Sequence, residues 1–141
     1  MSTFADSSAV VKLYSDEEGH ESVRALDAMV VSAVTRVEVP AALWRKHRMG
    51  ELDAHDARTL VQAFEHDLAG PAGRLVTLQL TNEILDTAAE LTAIHGLRAY
   101  DAIQLASARA ARLIDPTCST FAVFDGELSV AAAREGFAVV P

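Results

Sequence analysis

Cysteine is almost missing from this chain of 141 residues, with Cys118 alone. That excludes an internal disulfide and any zinc cluster built on several thiolates. Basic residues are in the minority, 12 against 20 acidic ones, for a net charge of -8. A strongly basic nucleic-acid binder of the histone or zipper kind is thereby ruled out. No apolar stretch approaches the roughly 20 residues that a membrane span needs. The stretch Met1 to Tyr14 lacks the basic start and long apolar run of a secretion signal, so a cytoplasmic location is expected. Repeats, low-complexity tracts and linkers are absent as well. The length suits one compact domain, residues 1–141, with a sizeable core.

Half of the residues are hydrophobic, and they fall into alternating short runs and helical periods. Strands are expected at Thr3–Ala5, Met29–Ser32, Arg74–Leu78, Thr120–Phe124 and Phe137–Val140. Helices are expected at Ala9–Tyr14, Glu17–Met29, Thr35–Arg48, Asp53–Leu68, Thr81–Ile94, Ala99–Leu113 and Leu128–Arg134. The densest punctuation, Ala69-Gly-Pro-Ala-Gly73, reads as a loop inside the domain. Short apolar strands separated by helices imply a three-layer α/β/α sandwich around a mostly parallel sheet of about five strands. In such sheets ligands sit at the carboxyl ends of the strands, near the point where strand order reverses.

Four acids occupy that rim if the sheet is parallel. Asp6 and Asp125 end strands, while Glu38 and Asp101 lie in the first turns of helices. Each also has a purely local reading. Asp6 can cap the helix after it, Thr35-Arg-Val-Glu38 matches a capping box, and Asp125-Gly126 is a common turn pair. Asp101 resists such a reading, because Ala102, Ile103, Leu105, Ala106 and Ala108 surround it on a nearly apolar helix. A buried carboxylate without a partner costs several kcal/mol or is neutralised, so it needs a cation. Arg36, Arg98 and Lys12 are near in sequence, yet none is obviously stationed to neutralise the set. Converging carboxylates repel and raise one another's pKa unless something positive lies between them. An all-oxygen donor set suits Mg²⁺ or Mn²⁺.

Four segments carry these acids: Phe4-Ala-Asp6-Ser-Ser8-Ala-Val-Val-Lys-Leu-Tyr14, Ser32-Ala-Val-Thr-Arg-Val-Glu38, Leu97-Arg-Ala-Tyr-Asp101-Ala-Ile-Gln-Leu-Ala106 and Phe121-Ala-Val-Phe-Asp125-Gly-Glu-Leu128. Together, in this order and spacing, they resemble the PIN-domain ribonucleases, above all the VapC-type toxins of bacterial toxin–antitoxin pairs. The resemblance runs from Phe4 to Val140. It implies an acidic quartet of Asp6, Glu38, Asp101 and Asp125 that holds Mg²⁺ or Mn²⁺, with Asp6 and Asp101 as core ligands and Glu38 and Asp125 completing the site directly or through water. Ser8 matches a small polar residue that supports the first aspartate. Also implied are cleavage of RNA phosphodiesters by metal-activated water, a cognate VapB-like antitoxin that blocks the site, and a homodimer. Pro40 departs from the pattern: it removes a backbone bond or kinks the helix two residues after Glu38.

The acidic balance is a weaker objection to RNA than it looks. Four of the acids belong to the expected metal site, where bound ions reverse the local sign. Ten of the twelve basic residues are arginine, which suits phosphate and stacked bases. Arg45-Lys-His-Arg48 is the one basic cluster, either a solvated helix end or part of an RNA or antitoxin contact. Trp44 reads as packing against the core or a partner helix. Cys118 reads as a small buried residue, and His20, His47, His55, His66 and His95 show no ligand spacing. Val11, Leu13, Leu60 and Phe64 fit an apolar groove for an antitoxin helix or plain core packing. Other readings are a PIN-like binding module, a nuclease that is not a toxin, and a haloacid-dehalogenase-like phosphatase. The last wants a second aspartate two positions after the first, where this chain has Ser8.

Overall fold

The computed structural model describes residues 2–70 and 73–141. The strands are β1 (Thr3–Ala5), β2 (Met29–Ser32), β3 (Leu75–Leu78), β4 (Thr120–Ala122) and β5 (Ala138–Val140). Between them run α1 (Ser7–Val10), α2 (His20–Arg24), α3 (Thr35–Arg48), α4 (Ala54–Ala69), α5 (Asn82–His95), α6 (Ala99–Ile114) and α7 (Gly126–Arg134). The order of strands and helices along the chain is the expected one. All five strands join one sheet in the order β3-β2-β1-β4-β5, and every pairing is parallel.

Period-2 alternation divides the sheet's side chains between two cores. Phe4 and Phe121 point to the face covered by α5, α6 and α7, where Leu91, Leu105 and Leu128 pack. Their successors Ala5 and Ala122 point to the face covered by α1 to α4, against Val10, Val39, Leu43 and Phe64. The Phe4 and Phe121 rings lie 5.1 Å apart on paired strands. Cys118 is fully buried, as expected. Val11 and Phe64 are buried too, and Leu13 and Leu60 pack beside them, so these four serve the core.

Several local expectations need correction. The Glu17–Met29 helix shrinks to the five residues of α2. Gly19 precedes it at φ +89, where a Cβ would stand 2.5 Å from the Phe124 ring. Such a left-handed residue cannot belong to a helix, and the chain must turn again to enter β2. The helix after Asp6 is four α-helical residues that tighten into a 3-10 turn over Val11–Leu13. β4 stops at Ala122, short of Phe124, and α7 begins at Gly126 instead of Leu128. Helix α3 runs unbroken through Pro40. The loop expected at Ala69–Gly73 falls partly on residues 71 and 72, outside the described residues.

Candidate active site

Strand order reverses between β1 and β4, because β1 is followed on one side by β2 and β3 and on the other by β4 and β5. Asp6 leaves β1 and Asp125 follows β4 at that switch point, where a doubly wound sheet opens its crevice. Glu38 enters from the first turn of α3, directly after β2. Asp101 enters from the first turn of α6, which is fixed to β2 by a hydrogen bond from Ser107 Oγ to Ser32 Oγ at 3.1 Å.

For two of the acids the local and functional readings coexist. Asp6 is the N-cap of α1, and its Oδ1 accepts from Ala9 N at 3.1 Å and from Ser8 Oγ at 2.6 Å. Ser8 Oγ in turn accepts from Phe124 N at 3.0 Å, which ties the ends of β1 and β4 together. Asp125 caps α7 through Oδ1, which accepts from Leu128 N at 3.0 Å. Capping therefore aims both carboxylates at the rim without occupying them fully.

Glu38 departs from its expected local role. No capping box forms: Val34 is the N-cap of α3, and its N–H is met by Ser32 Oγ at 3.3 Å. Thr35 lies inside the helix, fully buried, and its hydroxyl accepts from Gln104 Nε2 at 3.0 Å. The same Nε2 donates to Glu38 Oε1 at 2.7 Å. Glu38 is thus held from α6, not by the backbone of its own helix.

Asp101 turns inward as the apolar helix implied. Its Oδ2 is sealed from solvent and has no hydrogen-bond partner. A loose cation is nevertheless present, which the sequence had not made obvious. Arg98 Nε lies 3.7 Å from Asp101 Oδ2, and Arg98 Nη2 lies 3.7 Å from Asp125 Oδ2. The Arg98 side chain is 78% exposed, so these contacts screen the pair only weakly. Among the described residues no three acidic, histidine or cysteine side chains close around one point. The acids line a rim, not a preformed cage.

Electrostatics bind the rim into one system. Asp6, only 3% exposed, has its pKa pushed up to about 7, chiefly by burial and further by Glu38 and Asp101, against the lowering effect of its Ser8 and Ala9 bonds. Burial also raises Glu38, with Asp101 adding to it, while the Gln104 bond opposes. Asp101 is raised by burial first and then by Asp125, with Arg98 working the other way. Mutual repulsion contributes as anticipated, but loss of water is the larger cause in all three. Buried carboxylates, an orphaned carboxylate oxygen and donors that are all oxygen fit a hard divalent cation such as Mg²⁺ or Mn²⁺.

Sequence reasoning passed over Gln104 and gave Thr35 a capping role in place of its bond from Gln104. The available signal was a lone amide three residues after Asp101, on the same face of the helix, flanked by Ala102, Ile103, Leu105 and Ala106. The basic cluster belongs elsewhere, in the last turn of α3, roughly 10–15 Å along the helix from Glu38. Lys46 there is tied to Glu17 and Glu51, and His47 Nδ1 pairs with Leu52 O at 2.9 Å. Trp44 is half-buried, edge-on to His47 at 5.7 Å.

The fold is a doubly wound parallel sheet with acids along the rim of its switch point. The PIN domain family model matches residues 3–133, and the chain belongs to that family. Solved structures agree on the fold. PAE2754 from Pyrobaculum aerophilum is 21% identical, with a TM-score of 0.68, over 99% of this chain and 84% of its own. Mycobacterium tuberculosis VapC20, described as a sarcin–ricin loop cleaving toxin, is 16% identical with a TM-score of 0.68, over 96% and 95%. A toxin–antitoxin complex from Klebsiella pneumoniae gives 18% identity and a TM-score of 0.63, over 99% and 96%. Curated proteins offer no match to the sequence.

Proposed function

We propose that this chain is a Mg²⁺- or Mn²⁺-dependent endoribonuclease and the toxin of a toxin–antitoxin pair. The observation that carries the reading is the solvent-sealed Oδ2 of Asp101, which has no hydrogen bond and only the exposed Arg98 at 3.7 Å, on the same rim as the buried Asp6. Burying carboxylates with so little opposing charge is expensive, and a divalent cation would relieve both. Membership of the PIN family and the likeness to VapC20 and to a toxin–antitoxin complex support the same conclusion.

In this reading Asp6 and Asp101 are the principal ligands, with Glu38 and Asp125 completing the site. A cation held by these residues would supply Lewis-acid polarisation of a phosphodiester and stabilise charge on its leaving oxygen. The chain's own residues prepare that site. Ser8 and Ala9 fix Asp6 through one oxygen, and Leu128 N fixes Asp125 in the same way. Arg98, exposed beside Asp101 and Asp125, is free to swing toward an RNA phosphate once the acids are neutralised. RNA affinity should therefore depend on metal and fall with salt. The reading implies a cytoplasmic protein with RNA as substrate, a cognate VapB-like antitoxin and a second copy of the chain as partners. None of the described helices is long and apolar enough to cross a membrane.

The test is cleavage of a fluorogenic RNA by metal-stripped protein with and without added Mn²⁺. Cleavage should require the ion and vanish in Asp6→Asn and Asp101→Asn while circular dichroism stays unchanged. Full cleavage in EDTA, or by either variant, overturns the nuclease assignment. Growth arrest on expressing the chain, relieved by a small neighbouring protein, separates a toxin from another nuclease.

A further inference from the structure

Helix α6 presents Gln104 to the start of α3 and, one turn on, Ser107 to β2. Gln104 is 1% exposed on a helix face whose other buried residues are Ala, Leu and Ser107. Its Nε2 donates to Glu38 Oε1 at 2.7 Å and to Thr35 Oγ1 at 3.0 Å. Its Oε1 is buried with no partner. An orphaned buried amide oxygen is destabilising, and an apolar side chain of the same length would avoid that cost. Turning the amide over does not help, because Oε1 would then face a carboxylate oxygen at the same short distance. The amide is therefore held in its one workable orientation, and what it gains there is its grip on Glu38.

We propose that Gln104 is a positioning residue that holds the Glu38 carboxylate at the cation site from the neighbouring helix. This rests on the proposed metal-dependent function and adds a residue to it. Glu38 stands in the first turn of α3 with no capping bond to its own helix, and only Gln104 and the Ser7 hydroxyl hold its side chain, so without Gln104 the restraint from α6 is lost. Outer-sphere partners of ligating carboxylates are commonly worth about 10- to 100-fold in metal affinity.

Mn²⁺ affinity of the metal-stripped chain, read by electron paramagnetic resonance, tests this without relying on catalysis. Gln104→Met keeps the length of the side chain and removes the donor. It should weaken Mn²⁺ binding about 10-fold or more while circular dichroism and Tm stay near the parent. In the pair Glu38→Gln and Glu38→Gln/Gln104→Met, the second change should add little, because the residue it positions is already disabled. Parental affinity in Gln104→Met, or losses that add in full, overturns the proposal. Should Gln104→Met fail to fold, Gln104→Asn retains the amide but withdraws it by one methylene, and parental affinity there counts equally against it. Asp6→Asn with unaltered Mn²⁺ affinity would instead remove the metal site itself. Weakened binding in Asp6→Asn beside parental binding in Gln104→Met defeats this inference alone.

Discussion

Asp6→Asn should stabilise the metal-free protein, and by an amount that depends on pH. The asparagine keeps an oxygen for Ser8 and Ala9 N, the two groups that hold Asp6 Oδ1, while deleting a charge that has nowhere to go. In the folded chain the Asp6 pKa is raised from 3.8 to about 7, chiefly by burial. Below pH about 4 the carboxyl is protonated in both folded and unfolded chains, and it costs nothing. Between about 4 and 7 the unfolded chain ionises and the folded one does not, so stability falls steadily as pH rises. Above about 7 the loss is complete. Each tenfold difference in proton affinity is about 1.4 kcal/mol, so the full loss is about 4 kcal/mol. Against a typical total of about 5–15 kcal/mol that is a large fraction. Urea unfolding in EDTA, repeated from pH 4.5 to 8, should show the variant's advantage growing from about 1 kcal/mol to about 4 kcal/mol. Added Mn²⁺ at pH 7.5 should raise the parent's midpoint and leave the variant's nearly unmoved. Parallel pH profiles for the two proteins would refute the assignment of Asp6 as a buried, unmatched acid.

Three further outcomes follow from the structure. Gly19→Ala should lower stability by at least about 1–2 kcal/mol, measured as Tm, because the residue sits at φ +89 with the Phe124 ring 2.5 Å from where its Cβ would be. Ser8→Ala breaks both the bond to Asp6 and the bond from Phe124 N, and should cost about 1–3 kcal/mol in urea together with a measurable loss of Mn²⁺ affinity. Glu17→Ala leaves Lys12 and Lys46 without their shared carboxylate. With Glu17 28% exposed the loss should be only about 1–2 kcal/mol. Because Lys46 and Lys12 together outweigh burial and lower the Glu17 pKa, this contribution is present near neutral pH and fades as pH falls through the folded value.

The layers and the rim were legible in the sequence because they depend on strong, local signals. Runs such as Phe121-Ala-Val have no polar face to expose, and so must be buried strands in a parallel sheet. Gly96, at φ +65 after α5, and Thr81, which caps it at 3.2 Å, are where the punctuation put them. What failed were judgements that needed a distant partner. Val23, Leu26 and Val30 have helical spacing, but Gly19 must pass beneath Phe124, which is more than a hundred residues away. Thr35 and Glu38 have the capping-box spacing, yet Gln104 on another helix takes both side chains. Arg98 was one arginine among several until α6 and α7 brought Asp101 and Asp125 within its reach. Local capping motifs and the acids of the proposed site occupy the same places here, so spacing alone could not separate them.

A crystal soaked in Mn²⁺ and recorded at the manganese absorption edge tests the account most directly. Anomalous density should appear among Asp6, Glu38, Asp101 and Asp125, with Asp6 and Asp101 as its nearest protein ligands. A rim without such density, or an ion bound only elsewhere on the chain, would contradict it.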